Sequence, residues 1–499
     1  MKILHYALGF PPYRTGGLTK YCMDLMLQQK NKGHEVAMMW PGAFSLTGHF
    51  VRLKKDKKTV ENDKIDSFEV INPLPVPLDE GIAFTEEFTK KCPNPKAYKE
   101  FLEEYKPDAI HIHTLMGLHK EFVKAAKKLE IPVVFTSHDY FGICPKVTMF
   151  RDNKICDGDC SNCFKCNENA LSIKKIKILQ SGLYRTLKDT AVVKKLRKAH
   201  RQEFFDEEKG EQNEAEQSMQ NVLSNEIMSE NQTNEKISSS YTNQKSGSQT
   251  NEEALSNQVN QKFEKMVLDG AENRYDKLRK YYMSILSLVD TIHFNSTVTE
   301  SVYKKFLPKD TNGKVINISH NNIADNRKAK NFDSKELRIT YLAPAKNFKG
   351  YGIMKQALDE IWIQNSHDVH LTMYNEAVTN APYITVNDRF EYSELGNIFD
   401  NTDVLIMPSV WYETFGFTVL EALSYGVPVI VSKNVGAKDL LDDGKYGMIV
   451  EPTVQGVKNA VLELINNREK LSWYNNNIVK DFDMEKVLTS DEKIMELYK

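Results

Sequence analysis

The spacing of apolar residues changes period repeatedly along the chain. Residues 2–7 form a short apolar run, residues 18–32 carry apolar side chains at helical spacing, and residues 35–40 return to an apolar run. This reads as strand, helix, strand, because a buried parallel strand appears as a continuous apolar run and the helix covering it as a one-sided stripe. Gly33 lies where a helix end favours a left-handed residue. Further strands are predicted at residues 109–113 and 132–137, with a helix over 120–128 between them, and another strand ends at Phe294. A second series begins at Leu337 and continues at residues 369–374, 404–407 and 428–432. Parallel strands need long crossovers, so the pattern predicts an α/β chain of two Rossmann-like domains facing across a cleft, with ligand at the strand C-termini.

At 499 residues the chain exceeds what one core organises, in keeping with two domains. We place the N-terminal domain at residues 1–320, a linker between His320 and Asp333, and the C-terminal domain at 334–480. Residues 481–499 are expected to form a helix packing back on the N-terminal domain. Residues 206–261 are mostly Glu, Asn, Gln and Ser with one aromatic, Tyr241, too little apolar surface to offset ordering entropy, and read as a disordered insertion. Ahead of it, Lys174, Lys175, Lys177, Arg185, Lys188, Lys194, Lys195, Arg197 and Lys198 are interleaved with apolar residues. That stretch fits either a solvated helix face or a helix lying on anionic lipid.

Charge narrows the function classes. Sixty-six Lys plus Arg stand against 68 Asp plus Glu, which argues against nucleic acid as the main partner. No run of 18 apolar residues occurs, and the N-terminus reads as a strand rather than a signal sequence, so a cytoplasmic enzyme with peripheral membrane contact at most is expected.

The most informative segment spans residues 403–435, where the strand VLIMPS leads into WYETFGFTVLEALSYG and then VPVIVS. Gly416 opens a helix and Gly426 closes it, with Pro428 beyond the stop. Glu413 therefore lies in the loop at the helix N-terminus and Glu421 within the helix. The free amides of Gly416, Phe417 and Thr418, at the positive end of the helix, suit a diphosphate. Carboxylates on either side can accept hydrogen bonds from sugar or ribose hydroxyls. Spacing alone would equally fit a capping residue and a surface charge.

The E-x7-E spacing of Glu413 and Glu421 within PSVWYETFGFTVLEALSYGVPVIVS resembles the signature of the family 4 (group 1) retaining glycosyltransferases, which have the GT-B architecture. The resemblance extends through DNTDVLIMPS and VGAKDLLDDGKYGMIVEP, and more loosely to PPYRTGGLTKYCMDLMLQQKNKGHEV and TSHDY. It implies that Glu413 faces the transferred hexose, that Glu421 holds the nucleotide ribose, and that His138 faces the donor sugar across the cleft. Gly16 and Gly17, ahead of the first helix, fit a phosphate or acceptor approach as well as a simple turn. Lys349 matches the family's cation on the diphosphate. The family's Arg five or six residues earlier is replaced here by Ala343 and Pro344, with Lys346 as the nearby substitute.

The resemblance thus implies a nucleotide-sugar-dependent hexosyl- or related transferase, using a UDP- or GDP-linked donor and needing no cofactor for catalysis. A glycan or lipid-linked acceptor, as in cell-surface polysaccharide or glycolipid synthesis, is expected. The alternative is a non-catalytic subunit of the same fold that binds nucleotide or glycan.

Five of the seven cysteines fall outside the resemblance, as C-x11-C-x3-C-x2-C-x2-C at residues 144, 156, 160, 163 and 166. Cys156, Cys160, Cys163 and Cys166, with Cys144 as alternate, are candidate ligands of a structural zinc. An iron–sulfur cluster and unligated or disulfide-paired thiols are the other readings.

Overall fold

The structure, a computed structural model, describes residues 1–499 except 11–13, 15, 46–47, 57–64, 78–80, 188–189, 191–272, 365–366 and 375–380. The expected insertion at 206–261 lies outside the described residues. The chain divides into two compact units, Met1–Lys177 with Arg274–Lys499, and Ile178–Asn273. Within the basic stretch, Ile173–Leu179 and Gly182–Leu187 are helical, and most of the remainder is undescribed. Among the described residues no helix is long and apolar enough to cross a membrane.

The larger unit holds two sheets. The first contains β1 (Lys2–Tyr6), β2 (Glu35–Pro41), β3 (Arg52–Asp56), β4 (Asp66–Ile71), β5 (Ala109–Ile112) and β6 (Val133–Ser137). A two-stranded hairpin, β7 (Phe150–Arg151) and β8 (Lys154–Ile155), stands apart in the cysteine-bearing loop. The first sheet resumes with β9 (Thr291–Phe294) and β10 (Gly313–Val315), in the order β10-β9-β6-β5-β1-β2-β4-β3. Every pairing in it is parallel except β3 with β4. The second sheet, wholly parallel, contains β11 (Leu337–Tyr341), β12 (Val369–Tyr374), β13 (Ile384–Asn387), β14 (Val404–Met407), β15 (Val429–Ser432) and β16 (Gly447–Val450). Its order is β13-β12-β11-β14-β15-β16.

These are two doubly wound sheets, and strand order reverses beside β1 in one and between β11 and β14 in the other, the place where ligands bind in open α/β sheets. The central strands β6, β14 and β15 are buried along their whole length, because helices cover both faces. Within the two large sheets, the strands that periodicity did not single out are β3, β4, β10, β13 and β16. β3 is RLKKD, an edge strand whose charged side chains blunt it against further pairing. β10 is three residues long and β13 is a partly exposed edge.

Residues beyond 481 form two short helices, Met484–Leu488 and Ser490–Met495, and a final turn over Glu496–Tyr498. Ile494, Leu497 and Tyr498 share a core with Ile3, Tyr21 and Leu25 of the N-terminal domain. The Tyr498 hydroxyl reaches His111 Nδ1 at 2.6 Å, and Lys32 pairs with Asp491 at 2.6 Å.

Asp403, fully buried, ties β11 to the loop entering β14. Its Oδ2 accepts from the Arg338 amide at 2.9 Å, and its Oδ1 from Arg338 Nη2 at 2.5 Å and Nε at 3.1 Å. Replacing Asp403 by Ala would leave the partly exposed Arg338 without its carboxylate. We expect a loss of about 2 kcal/mol of stability, measurable by urea denaturation.

Candidate functional site

The site forms where β14 gives way to the loop carrying Glu413 and then to the helix Phe417–Ser424. Gly416 at the start of that helix has φ 103°, and a Cβ there would lie 3.0 Å from Met407 Sδ. Only glycine fits both constraints. The turn leaves the amides of Gly416, Phe417 and Thr418 without a protein hydrogen bond among the described residues, since the first helical bond runs from the Val419 amide to the Gly416 carbonyl at 3.1 Å. An open helix N-terminus of this kind attracts anions.

Glu413 is fixed through backbone and side chain alike. Its amide donates to the Asn434 carbonyl and its carbonyl accepts from the Gly436 amide, both at 2.9 Å, a one-residue parallel bridge with the segment after β15. Its Oε2 accepts from the Lys349 ammonium and from Trp411 Nε1 at 3.0 Å. The ammonium also stands 4.7 Å from the centre of the Trp411 ring. Lys349 is aimed by Gly350, which turns with φ 83° so close to the Pro408 carbonyl that a Cβ would lie 2.1 Å from its oxygen. Lys346 precedes the same short turn, and Ala343 and Pro344 occupy the loop where the resembling family carries Arg, with Tyr341 donating to the Pro344 carbonyl at 2.9 Å.

Glu421 sits one turn inside the helix and is 4% exposed. Its Oε1 is 3.1 Å from His320 Nε2. The Asn322 amide donates to His320 Nδ1 at 3.3 Å, so Nε2 carries the proton directed at the carboxylate. The His320 ring is held edge-on to Phe417 at 5.0 Å and Tyr392 at 5.7 Å. The linker between the sheets thereby orients Glu421, a partner that residue spacing did not reveal.

The first domain reaches this site at three places. Gly16 and Gly17 open the helix Gly17–Asn31, and a Cβ on Gly17 would stand 3.6 Å from the Phe417 ring, so the start of this helix packs against Phe417. His138 follows β6, and its carbonyl accepts from Thr414 Oγ1 at 3.1 Å. Ser296, after β9, donates to the Thr414 carbonyl at 2.6 Å. The structure thus brings Glu413, Glu421, Lys349, Gly416, Phe417, Thr418, Gly17 and His138 into one neighbourhood around the start of the helix Phe417–Ser424. Trp411, Thr414 and Ser296 join them.

Behind His138 lies a stack of buried imidazoles on β1, β5 and β9. Burial lowers His138 to about 3 and both His5 and His293 to about 4, and it takes His111 and His113 well below the usual histidine value. Ring nitrogens of His5, His111 and His113 fall within 4.8 Å of one another, the one such group of three or more metal-type ligands among the described residues. Each of those nitrogens already has a protein hydrogen-bond partner.

The cysteine loop carries a different polar cluster. Cys160 and Cys163 are buried and their thiols hydrogen-bond to each other, while Arg279 Nη2 donates to Cys160 Sγ at 2.6 Å and Arg151 bonds Cys166. All seven cysteines are free of disulfides, and no three of their sulfurs lie within 4.8 Å of one another among the described residues.

A family model described as glycosyl transferases group 1 matches residues 322–481, and one described as glycosyltransferase family 4 matches residues 15–154. The chain belongs to the group 1 glycosyltransferases and has their GT-B architecture of two Rossmann-like domains. A probable sucrose-phosphate synthase of Thermosipho melanesiensis is 33% identical over 90 residues, 18% of this chain and 21% of that protein. An uncharacterized 41.2 kDa protein in the cps region of Klebsiella pneumoniae is 33% identical over 107 residues, 21% of this chain and 27% of that one. These matches span about a fifth to a quarter of the relatives' lengths. Sucrose-phosphate synthase from Thermosynechococcus elongatus shares the fold, with TM-score 0.53 and 13% identity over 100% of this chain and 98% of that one. HepE of Anabaena, solved in complex with UDP, gives TM-score 0.52 and 13% identity over 99% of both chains.

The buried histidines predict the sign of the pH dependence of stability. Their folded values lie below the unfolded value near 6.5, so their contribution is complete above pH 6.5 and is lost as pH falls from there towards 4. The melting temperature should drop by more than about 10 °C between pH 7.5 and pH 5 in calorimetry. A flat profile would mean that these rings already bind protons in the folded state.

Proposed function

We propose that this chain transfers a sugar from a nucleotide-sugar donor to an acceptor hydroxyl with retention of anomeric configuration. The observation that carries the reading is the open helix N-terminus at Gly416 with Glu413 on one side, Glu421 inside the helix, and Lys349 on Glu413. In this reading the donor diphosphate lies on the Gly416, Phe417 and Thr418 amides, with Lys349 and Lys346 supplying positive charge where the leaving group develops its own. Glu421 takes the ribose and Glu413 and His138 the hexose. Gly16 and Gly17 let the start of their helix approach the donor phosphates, and the first domain presents the acceptor hydroxyl. Catalysis in this scheme is positioning and electrostatics, with no cofactor. The UDP complex of the HepE fold neighbour supports a uridine nucleotide as the first donor to try.

The test is release of nucleoside diphosphate on incubation with UDP-, GDP- and ADP-sugars, with free and lipid-linked glycans as acceptors. The basic residues 174–198 favour the lipid-linked class. Glu413→Gln should lower kcat by about 100-fold or more. Glu421→Ala should raise the donor KM by about 10-fold, the size of one charge-assisted hydrogen bond. Unaltered kinetics in both variants would refute the site, and nucleotide binding without release from any donor would favour the non-catalytic subunit.

We further propose that Cys156, Cys160, Cys163 and Cys166, with Cys144 as alternate, hold a structural zinc. The Cys160–Cys163 contact and the Arg279 and Arg151 donors on Cys160 and Cys166 support the reading, since thiolate ligands gain from such hydrogen bonds. The sulfurs would have to draw together on binding. Mass spectrometry of the purified chain should find about one zinc per molecule. Less than about 0.2 equivalents of zinc would dismiss the site.

A further inference from the structure

His138 is the end of a continuous hydrogen-bonded chain whose other members are each 2% exposed or less: His293, Thr136, His111, Tyr498, Gln29, His5 and His113. The chain begins at a group that fixes its direction. The Ile316 carbonyl can only accept, so His293 Nε2, 2.7 Å away, must carry a proton. In a neutral ring His293 Nδ1 is then a lone pair, and Thr136 Oγ1, at 2.9 Å, donates to it. A hydroxyl has one proton, so Thr136 receives from His111 Nε2 at 2.6 Å. His111 Nδ1 is therefore a lone pair that accepts the Tyr498 hydroxyl at 2.6 Å.

Beyond Tyr498 the hydrogen bonds run on without a branch. Tyr498 oxygen accepts from Gln29 Nε2 at 3.0 Å, and Gln29 Oε1 accepts from His5 Nε2 at 2.7 Å. The opposite amide orientation would run every donor backwards and end with a lone pair of His293 against the Ile316 carbonyl. His5 Nδ1 then accepts from His113 Nε2 at 2.9 Å, and His113 Nδ1 from His138 Nε2 at 3.2 Å. A second proton on any interior ring would set two donors head to head, which the burial of the chain makes costly.

We infer that this chain fixes His138 as the Nε2–H tautomer, so that Nδ1 is a lone pair and meets a ligand only as a hydrogen-bond acceptor. His138 Nδ1 has no protein partner among the described residues, and the ring is half-buried beside Tyr21 at 4.9 Å. Together with the proposed donor placement, on which this step rests, the lone pair selects the sugar class. A neutral hexose offers a hydroxyl proton to Nδ1, whereas a hexuronate carboxylate at the same place sets two acceptors against each other. His113, His5, Gln29, Tyr498, His111, Thr136 and His293 are positioning residues, several of them tens to hundreds of residues from His138 in sequence.

The tautomer can be read without any activity. The full chain, deuterated and labelled with 15N-histidine, is observed at pH 7.5 in two-bond proton–nitrogen correlations, with His138→Gln and His113→Gln assigning the rings. The expected spectrum places the ring proton of His138 and of His113 on Nε2, with a coupling across the hydrogen bond from His113 Nε2 to His5 Nδ1. A proton on Nδ1 of either ring overturns the inference. Thr136→Val and Tyr498→Phe each cut the chain between Ile316 and His138. In whichever variant retains the parent circular dichroism, the single His138 form should give way to exchange between tautomers. An unchanged single form in a folded variant overturns the claim that the chain sets it. In the transfer assay, a neutral UDP-hexose should exceed the matching UDP-hexuronate by about 10-fold or more in kcat/KM. The reverse preference overturns the sugar-facing half, while absence of transfer from all donors counts against the proposed function and leaves the spectroscopic result to stand alone.

Discussion

One peptide unit couples the two domains at the site. Thr414 donates its hydroxyl to the His138 carbonyl and offers its own carbonyl to Ser296, so two loops of the first sheet hold it from opposite ends. Glu413 precedes it and Gly416 follows by two residues. The Glu413 carboxylate, the open amides at Gly416 and His138 are therefore set relative to one another by short local geometry rather than by the long lever arms of two separate domains. The linker contributes in the same sense, since His320 grips Glu421 from the side and its ring is wedged against Phe417.

Much of this was legible in the sequence, for identifiable reasons. Central strands such as VVFTS and VLIM are buried on both faces, so their apolar runs are unbroken and easily seen. β3 was hidden because an edge strand keeps its charges, and β10 because three residues carry no period. Glu413, Gly416 and Glu421 were visible because they lie within nine residues of one another and a helix start has local punctuation. Trp411 gave no signal, although it donates to Glu413, since an aromatic near a strand end is equally a core residue. The histidine chain was beyond reach. His111 and Tyr498 meet across 387 residues, and only the packing of the C-terminal turn beneath the first sheet brings them together.

The two halves of the site solve opposite electrostatic problems. On the first domain, imidazoles are kept neutral by burial and by a hydrogen-bond order that leaves no place for a further proton. On the second, opposite charges are paired. An aromatic wall and a carboxylate hold the Lys349 ammonium, and the helix end adds a partial positive charge that cannot be titrated away.

The substitution of Ala343 and Pro344 for a cation has to be weighed against that second arrangement. On the proposed donor placement, an Arg fork would bind the diphosphate through two fixed donors, and here no fork is available at those positions. Lys349 differs in kind, because an ammonium carries three donors on a flexible stem and can serve Glu413 and a phosphate oxygen together. A unit charge 4 Å from a phosphate is worth about 4 kcal/mol at the effective dielectric of a partly buried site, of the same order as a strong hydrogen-bonded pair. Sharing that charge with Glu413 weakens its hold on the phosphate. It also places the ammonium between the fixed Glu413 carboxylate and the phosphate position, where it can serve both. A donor seated on the Gly416 amides would therefore meet Glu413 already held by its backbone bridge and by Trp411, so that the missing cation is met by one ammonium set between two anionic groups rather than by adding a second positive one.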